Sequence, residues 1–568
     1  MTVATEVEAP AAAPAAAGCS DSDNGRRGRW ARAAGCADAR LFWRCAWIVI
    51  GAAVTFAVVY SLLSWLHYRT YYGGRYDLGN MVQAVYNTAH GHFLEITNAR
   101  GAQMSRLGAH VDPIIAFFAL PWLVWPNPMM LLVGQAIIVA LAAWPAYRLG
   151  VRVLKDPRAA AMLAGALLVY PALGFLVLAE FHPVSLAVPL LLFAFLYLEE
   201  ERFWRALPFL VLAALCKEEI PLLIGLMGIF FAVRKRRWWP LLISATAAAY
   251  FGLAIGVILP HFNVKGSPFV GRYSEYGSST GSIMRNVILH PVHTVRGLLA
   301  VDDLLYWWRL LWPFVLTTLL SPLTLLISLP ELLINGLSKQ LPQRRIEFQY
   351  VAGEIPFLFA AAVLGVRRLY GWLSRVHIGG RAGRAGLIGR LSRAEQAGPI
   401  GRAGFAGITP GGIWRRVIQV RSLALIVFIA ALAGNYFLGP LPFSLPNAKY
   451  RVANYGRNGH DAVLDQAIKL IPRNATVSVG NIVGSHLSAR RVVYTFPYVG
   501  RAEYVIIDSK HPFVSDALSP NAFQFSLSAV IISGHYRLIY ARDGVYVFKR
   551  RDLRQGVSQR PAGVTPPS

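Results

Sequence analysis

Residues 46–66, AWIVIGAAVTFAVVYSLLSWL, form an apolar run without a single charged side chain, and similar runs return along the chain. A bilayer core of about 30 Å is crossed by about 20 helical residues, so stretches of this kind dictate membrane-spanning helices. Comparable runs lie at 129–147, 159–179, 240–260 and 422–440. Shorter or proline-interrupted ones lie at 184–198, 206–216, 219–233, 309–321, 322–335 and 351–366. Together they predict an α-helical polytopic membrane protein with about eleven transmembrane segments. The composition agrees: only 15% of residues are charged and 55% are hydrophobic, whereas soluble domains are roughly a quarter charged. The first run begins too deep, and has too many successors, for a cleaved signal peptide.

The net charge of +27 raises the question of nucleic acid. The basic residues, however, gather between apolar runs, where the positive-inside rule puts them. Acidic lipid is the expected counter-charge, and no nucleic-acid partner is expected. Six arginines between Arg26 and Arg44 precede the first run and predict a cytoplasmic N-terminus. Alternate crossing then makes 148–158, 199–205, 234–239 and 367–421 cytoplasmic, the last an Arg/Gly-rich linker. The larger pieces 67–128, 261–308 and the C-terminal region fall outside. The expected location is therefore a bacterial cytoplasmic membrane, crossed several times.

The expected domains are a disordered basic cytoplasmic tail (1–45), a transmembrane domain (46–440), a small extracytoplasmic α/β domain (441–551) and a disordered tail (552–568). Within 441–551, HDAVLDQAIKLIP has helical spacing, while ATVSVG, RRVVYTFP and EYVIID read as strands. YRLIYARDGVYVFKR reads as a hairpin turning at Asp543-Gly544. The four cysteines, Cys19, Cys36, Cys45 and Cys216, form no CxxC or Cys/His cluster, so neither a disulfide framework nor a cysteine zinc site is indicated.

Ionisable residues cost a few kcal/mol each inside a bilayer, so they line cavities or pair with one another. Here they collect at the predicted outer boundary. The first loop holds Asp77, His90, His92, Glu95, Arg106, His110 and Asp112, followed by HVDPIIAFFALPWLVWP (110–126), which is best read as a helix lying on the membrane surface. Glu180 and His182 end the third segment, and Lys217, Glu218 and Glu219 occupy a break between two short segments. Plainer readings stand beside a functional one. Asp77 could cap a helix beginning at Leu78, Glu180 and His182 an ordinary helix end, and Lys217 with Glu218 a structural ion pair. The HxH at 90–92 reads as solvated loop, and Asp302-Asp303 as an N-cap beside an aromatic belt.

The stretches YDLGNMVQAVYNTAHG, SRLGAHVDPII, EFHPVSLAVPLL, CKEEIPLLIGLMG and IEFQYVAGEIPFLFA occur in an order that resembles a bacterial family of predicted membrane proteins of unknown function. The likeness spans most of 70–366. The layout is also similar to GT-C glycosyltransferases, such as protein mannosyltransferases and lipid A aminoarabinose transferases. Those enzymes place an essential acidic residue in the first outer loop, follow it with an apolar surface helix, and carry a lysine at a later helix break. The chain departs from them in lacking an Asp-Asp or Glu-Asp pair at position 77 and a double proline after His110.

What the GT-C resemblance implies is transfer of a sugar from a polyprenyl-phosphate donor to a glycan, glycolipid or protein acceptor of the cell envelope, with inversion favoured. Asp77 would be the catalytic base. Lys217, Glu218, Arg106, His110, Asp112, Glu180 and His182 would bind substrate, and His110 with Asp112 could hold a divalent cation, since some relatives use a metal and others do not. A catalytic reading predicts that Asp77, His110, Lys217 and Glu180 converge on one outer cavity. The alternatives are a transporter or lipid flippase, which predicts mid-depth polar residues and internal symmetry, and a non-catalytic envelope assembly protein that depends on 450–551 and tolerates loss of Asp77.

Overall fold

The computed structural model describes residues 38–263, 269–391, 419–445, 451–512 and 520–551. The expected tails therefore lie outside the described residues at 1–37 and 552–568, as does the linker at 392–418. Residues 39–45, assigned to the tail by sequence, are instead the first two turns of helix α1 (Ala39–Arg69), capped by the Asp38 side chain. At 31 residues, α1 is about 46 Å long, ample for a bilayer.

Further helices long and apolar enough to span a membrane are α3 (Met129–Leu154), α9 (Pro240–Phe262), α10 (Ile355–Leu391, apolar through Arg375) and α11 (Val420–Leu438). The pair α4 (Pro157–Leu168) and α5 (Pro171–Leu178) makes a sixth span, bent by 44° where Pro171 opens the second helix. Side chains such as Trp47, Ile48, Val54, Val58 and Leu62 of α1 remain exposed, an apolar surface of the kind that faces lipid. The chain is thus mostly helical and multi-pass, with five or six helices among the described residues long and apolar enough to span a membrane.

Most of the remaining apolar runs form shorter helices: α6 (Ala187–Glu199), α7 (Phe203–Ala214), α8 (Ile220–Lys235) and Pro322–Gly336. The run 309–321 is not one helix. It breaks after Phe314 because Val315 and Leu316 take positive φ angles of 54°, and Thr317 presses its carbonyl against Gly365, where no side chain would fit. Conversely, α10 continues to Leu391, well into the expected linker.

The basic segments meet at one end of the helical bundle, where α1 begins. There the Tyr147 hydroxyl donates to the Phe42 carbonyl at 2.7 Å. Arg148 pairs with Glu200 at 2.5 Å, Arg234 with Glu199 at 3.0 Å, and Arg421 with Asp156 at 2.6 Å. Arg367 donates to the Val153 carbonyl. These four segments are far apart in the chain, yet they share one surface, as positive-inside loops must.

At the far end of α1, residues 71–112 build a compact region. A π-helical turn (Arg75–Gly79) leads into α2 (Asn80–Ala89), followed by a short ribbon of β1 (Glu95–Thr97) and β2 (Gln103–Ser105). Pro113–Val124 is a short helix that buries Ile114, Ile115 and Trp122 while leaving Phe117, Leu120 and Leu123 exposed.

On this end rests the C-terminal region. Strands β3 (Val477–Val479), β4 (Val493–Thr495), β5 (Tyr504–Asp508), β6 (Tyr536–Arg542) and β7 (Val545–Arg550) form one sheet in the order β4-β3-β5-β7-β6. β3 is parallel to β4 and β5, and β7 is antiparallel to β5 and β6. Helix α12 (Gly459–Lys469) precedes the sheet and α13 (Asn481–Leu487) crosses from β3 to β4. Asp543-Gly544 turns the final hairpin with φ of 47° and 81°, the left-handed pair that a two-residue turn of this type demands.

Candidate functional site

The stretch YYGGRYDLGN owes its shape to partners distant in sequence. Both Glu180 oxygens accept from the Gly74 amide at 3.0 Å, and Oε2 also accepts from the Leu78 amide at 2.8 Å. A carboxylate at the start of a helix satisfies amides that lack intrahelical partners and favours the positive end of the dipole. Glu180 therefore supplies the capping that the sequence offered as a role for Asp77. Gly74 occupies the N-cap position, and a side chain there would collide with Asn481 of α13.

Asp77 is left in the first turn with its side chain 55% exposed, its Oδ1 3.4 Å from Nε2 of His182. His182 is buried, and neither of its ring nitrogens makes a hydrogen bond. Asp77, Glu180 and His182 line a small pocket of about 80 Å³, together with His67, Tyr68 and Glu347.

A much larger cavity, about 890 Å³, opens on the other side of His182. Its charged lining, Arg106, His110, Asp112, Lys217 and Glu218, is largely buried, and most of the remaining wall is apolar, from α8, α9 and the short helix Thr280–Leu289. Two of the expected ligand groups are already engaged. Arg106 grips Asp112 through Nε at 3.0 Å to each oxygen and Nη2 at 2.5 Å, with both side chains buried. Glu218 accepts from the Val111 amide at 2.9 Å and lies 2.8 Å from His110 Nδ1. His110 also stacks on Phe269 at 4.5 Å.

These contacts fix the loop between β2 and the Pro113 helix. They commit the Nε and Nη2 edge of Arg106 to Asp112, and they turn Asp112 toward a guanidinium rather than toward a metal ion. Lys217 pairs with Glu219, not with Glu218, and its ammonium stands 5.7 Å from the Tyr350 ring centre.

The expected residues thus do not share one cavity. They divide between two adjoining ones, with His182 and Gln349 lining both. Sequence reasoning passed over Arg272, whose guanidinium lies 4.4 Å over Phe269 and 6.0 Å from the Tyr350 ring centre in the large cavity. It also gave no role to Glu347, Gln349 and Tyr350, although the stretch containing them, IEFQYVAGEIPFLFA, was available as a signal.

Arg75 was missed as well. Fully buried, it donates to Asn80 at 2.6 Å, Gln83 at 2.7 Å and the Val493 carbonyl of β4 at 3.1 Å, so it joins the first loop to the C-terminal sheet. Ser485 of α13 donates to the Gly73 carbonyl at 2.8 Å, and His486 stacks on Tyr68 at 4.0 Å. The wall of the small pocket is therefore braced by the C-terminal region.

No curated protein matches this sequence. A family described as predicted membrane protein (DUF2079) matches residues 67–382, more than half of the 568 residues and every charged residue that lines either cavity. The motifs, the multi-pass helical fold and that match agree, and the chain belongs to this family of predicted membrane proteins.

Proposed function

We propose that the protein is a membrane glycosyltransferase of GT-C type, moving a sugar from a polyprenyl-phosphate donor to a cell-envelope acceptor at the outer face of the cytoplasmic membrane. The observation that carries this reading is the pairing of a mainly apolar cavity of about 890 Å³, lined at one place by Lys217 and Arg272, with an adjacent pocket that holds Asp77 and Glu180. An isoprenoid tail suits the apolar depth. The phosphate suits the space between Lys217 and Arg272, which both face Tyr350, and Arg272 takes the place that sequence had given to Arg106.

In the reaction, the acceptor hydroxyl attacks the anomeric carbon of the donor. A new carbon–oxygen bond forms as the bond to the phosphate oxygen breaks, and the electron pair leaves with the polyprenyl phosphate. Asp77 takes the hydroxyl proton. His182, 3.4 Å from Asp77 and lining both pockets, orients the carboxylate toward the shared boundary. Lys217 and Arg272 stabilise the charge that grows on the phosphate. The basic segments at the opposite end of the bundle support an outward-facing site, and with it a C-terminal α/β domain on the outside.

The test compares wild type and Asp77→Asn in membranes supplied with radiolabelled polyprenyl-phosphate sugars, with equal accumulation of both proteins verified. Transfer by wild type and its loss in the variant is the expected result. Equal transfer by both removes Asp77 from the chemistry. Movement of labelled lipid between leaflets, unaltered in the variant and without product, would instead identify a flippase.

A further inference from the structure

In the C-terminal region, among residues that line neither cavity, three side chains bring ligating atoms close together. His460 Nε2 lies 3.0 Å from Asp508 Oδ2, and His511 Nδ1 lies 3.3 Å from the same oxygen. Among the described residues this is the one group of three potential ligands whose atoms all fall within 4.8 Å of one another. Ligands bound at about 2.0–2.1 Å around a tetrahedral zinc ion stand roughly 3.3 Å apart, so the spacing is close to that of a bound set. We propose that His460, Asp508 and His511 form a binding site for a divalent transition-metal ion of the zinc class, with a fourth position open to solvent.

Three further features support it. The other ring nitrogen of His460, Nδ1, faces Asp543 Oδ2 at 2.9 Å, the carboxylate–histidine–metal arrangement that fixes a ligand's tautomer and orientation. Asp508 Oδ1 accepts from the Lys510 amide at 2.9 Å, which turns Oδ2 toward the histidines. The group also sits where α/β sheets commonly place ligands, beyond the carboxyl end of a parallel strand: Asp508 ends β5, and His460 is the second residue of α12. Asp543 is delivered from the tight hairpin turn at the opposite side. The His511 side chain is 58% exposed, which gives an ion a path in and room for a water ligand.

The competing account is a metal-free ion-pair cluster in which His460 bridges Asp508 and Asp543. Full-length, tag-free protein in detergent, stripped with a chelator, is titrated with Co²⁺ while visible absorption is recorded. One equivalent should produce the intense d–d bands of four-coordinate cobalt, and Zn²⁺ should displace them. His511→Ala, at a largely exposed position, should weaken binding at least tenfold. Asp543→Asn, which weakens the acceptor behind His460 Nδ1 and the ion pair with Lys510, should weaken it about 10- to 100-fold. Absence of the bands at stoichiometric Co²⁺, or the same bands in the His460→Ala/His511→Ala protein, would overturn the site and leave the ion-pair cluster.

Discussion

The two cavities that meet at His182 are built in opposite ways. The small pocket around Asp77 mixes carboxylates and histidines with apolar side chains and is held by backbone and by distant elements: Glu180 caps its turn, and His486 and Ser485 of α13 brace its wall. Neither cavity takes a lining residue from the C-terminal region, and the large one is walled mainly by apolar side chains of the bundle. A site that must place a carboxylate against a reacting atom needs such rigidity. A site that holds a lipid chain needs volume and an apolar wall. The contrast teaches that positional control and chain binding are separable here, and that single substitutions can disturb one and spare the other.

The largest effect is expected from Asp77→Asn. Sugar transfer should fall by about 10²–10⁴-fold, the range for loss of a general base, while retention of labelled donor lipid in the large cavity, followed by co-purification, stays unchanged. Equal losses in both would show that the two cavities act as one.

Acid should loosen the small pocket selectively. Burial pushes the His486 imidazole down from 6.5 to about 4, so the folded state holds it neutral. Its contribution is fully present above pH 6.5 and is lost as pH falls from 6.5 through about 4, by up to about 3 kcal/mol. Hydrogen exchange at residues 68–78 should rise across that window and exchange in α8 should not, and His486→Phe should flatten the dependence.

Glu180→Gln removes the charged cap and should cost about 1–2 kcal/mol. A lower unfolding midpoint with donor binding preserved would confirm a supporting role for Glu180, whereas loss of transfer at unchanged stability would return it to the substrate. The smallest expected effect is Arg272→Gln, a loss of about 1–2 kcal/mol of phosphate binding. It should lower kcat/KM about tenfold, with part of the loss in kcat, because Arg272 meets a charge that grows as the bond breaks.

Much of the architecture was legible in the sequence. The five clearest apolar runs correspond to α1, α3, the bent pair α4 and α5, α9 and α11, since length and hydrophobicity decide whether a helix can cross a bilayer, whereas α10 came from the shorter run 351–366. The shared end of the basic segments was equally readable, because charge asymmetry is a property of each loop. The turn at Asp543-Gly544 could be read because its residues must adopt positive φ. The run 309–321 misled because its apolar composition does not reveal that Val315 and Leu316 break the helix.

The sequence by itself thus determined a helical, multi-pass chain with polar residues gathered at one end, because burial cost and helix length act residue by residue along the chain. Only the tertiary structure decided which of those residues are partners. Glu180 caps a turn 102 residues away, Arg75 reaches a strand 418 residues away, Arg106 is taken up by Asp112, and His460 meets Asp508 and His511. A hydrogen bond or an ion pair depends on distance in space, and across separations such as those of Glu180, Arg75 and His460 from their partners no local pattern records it.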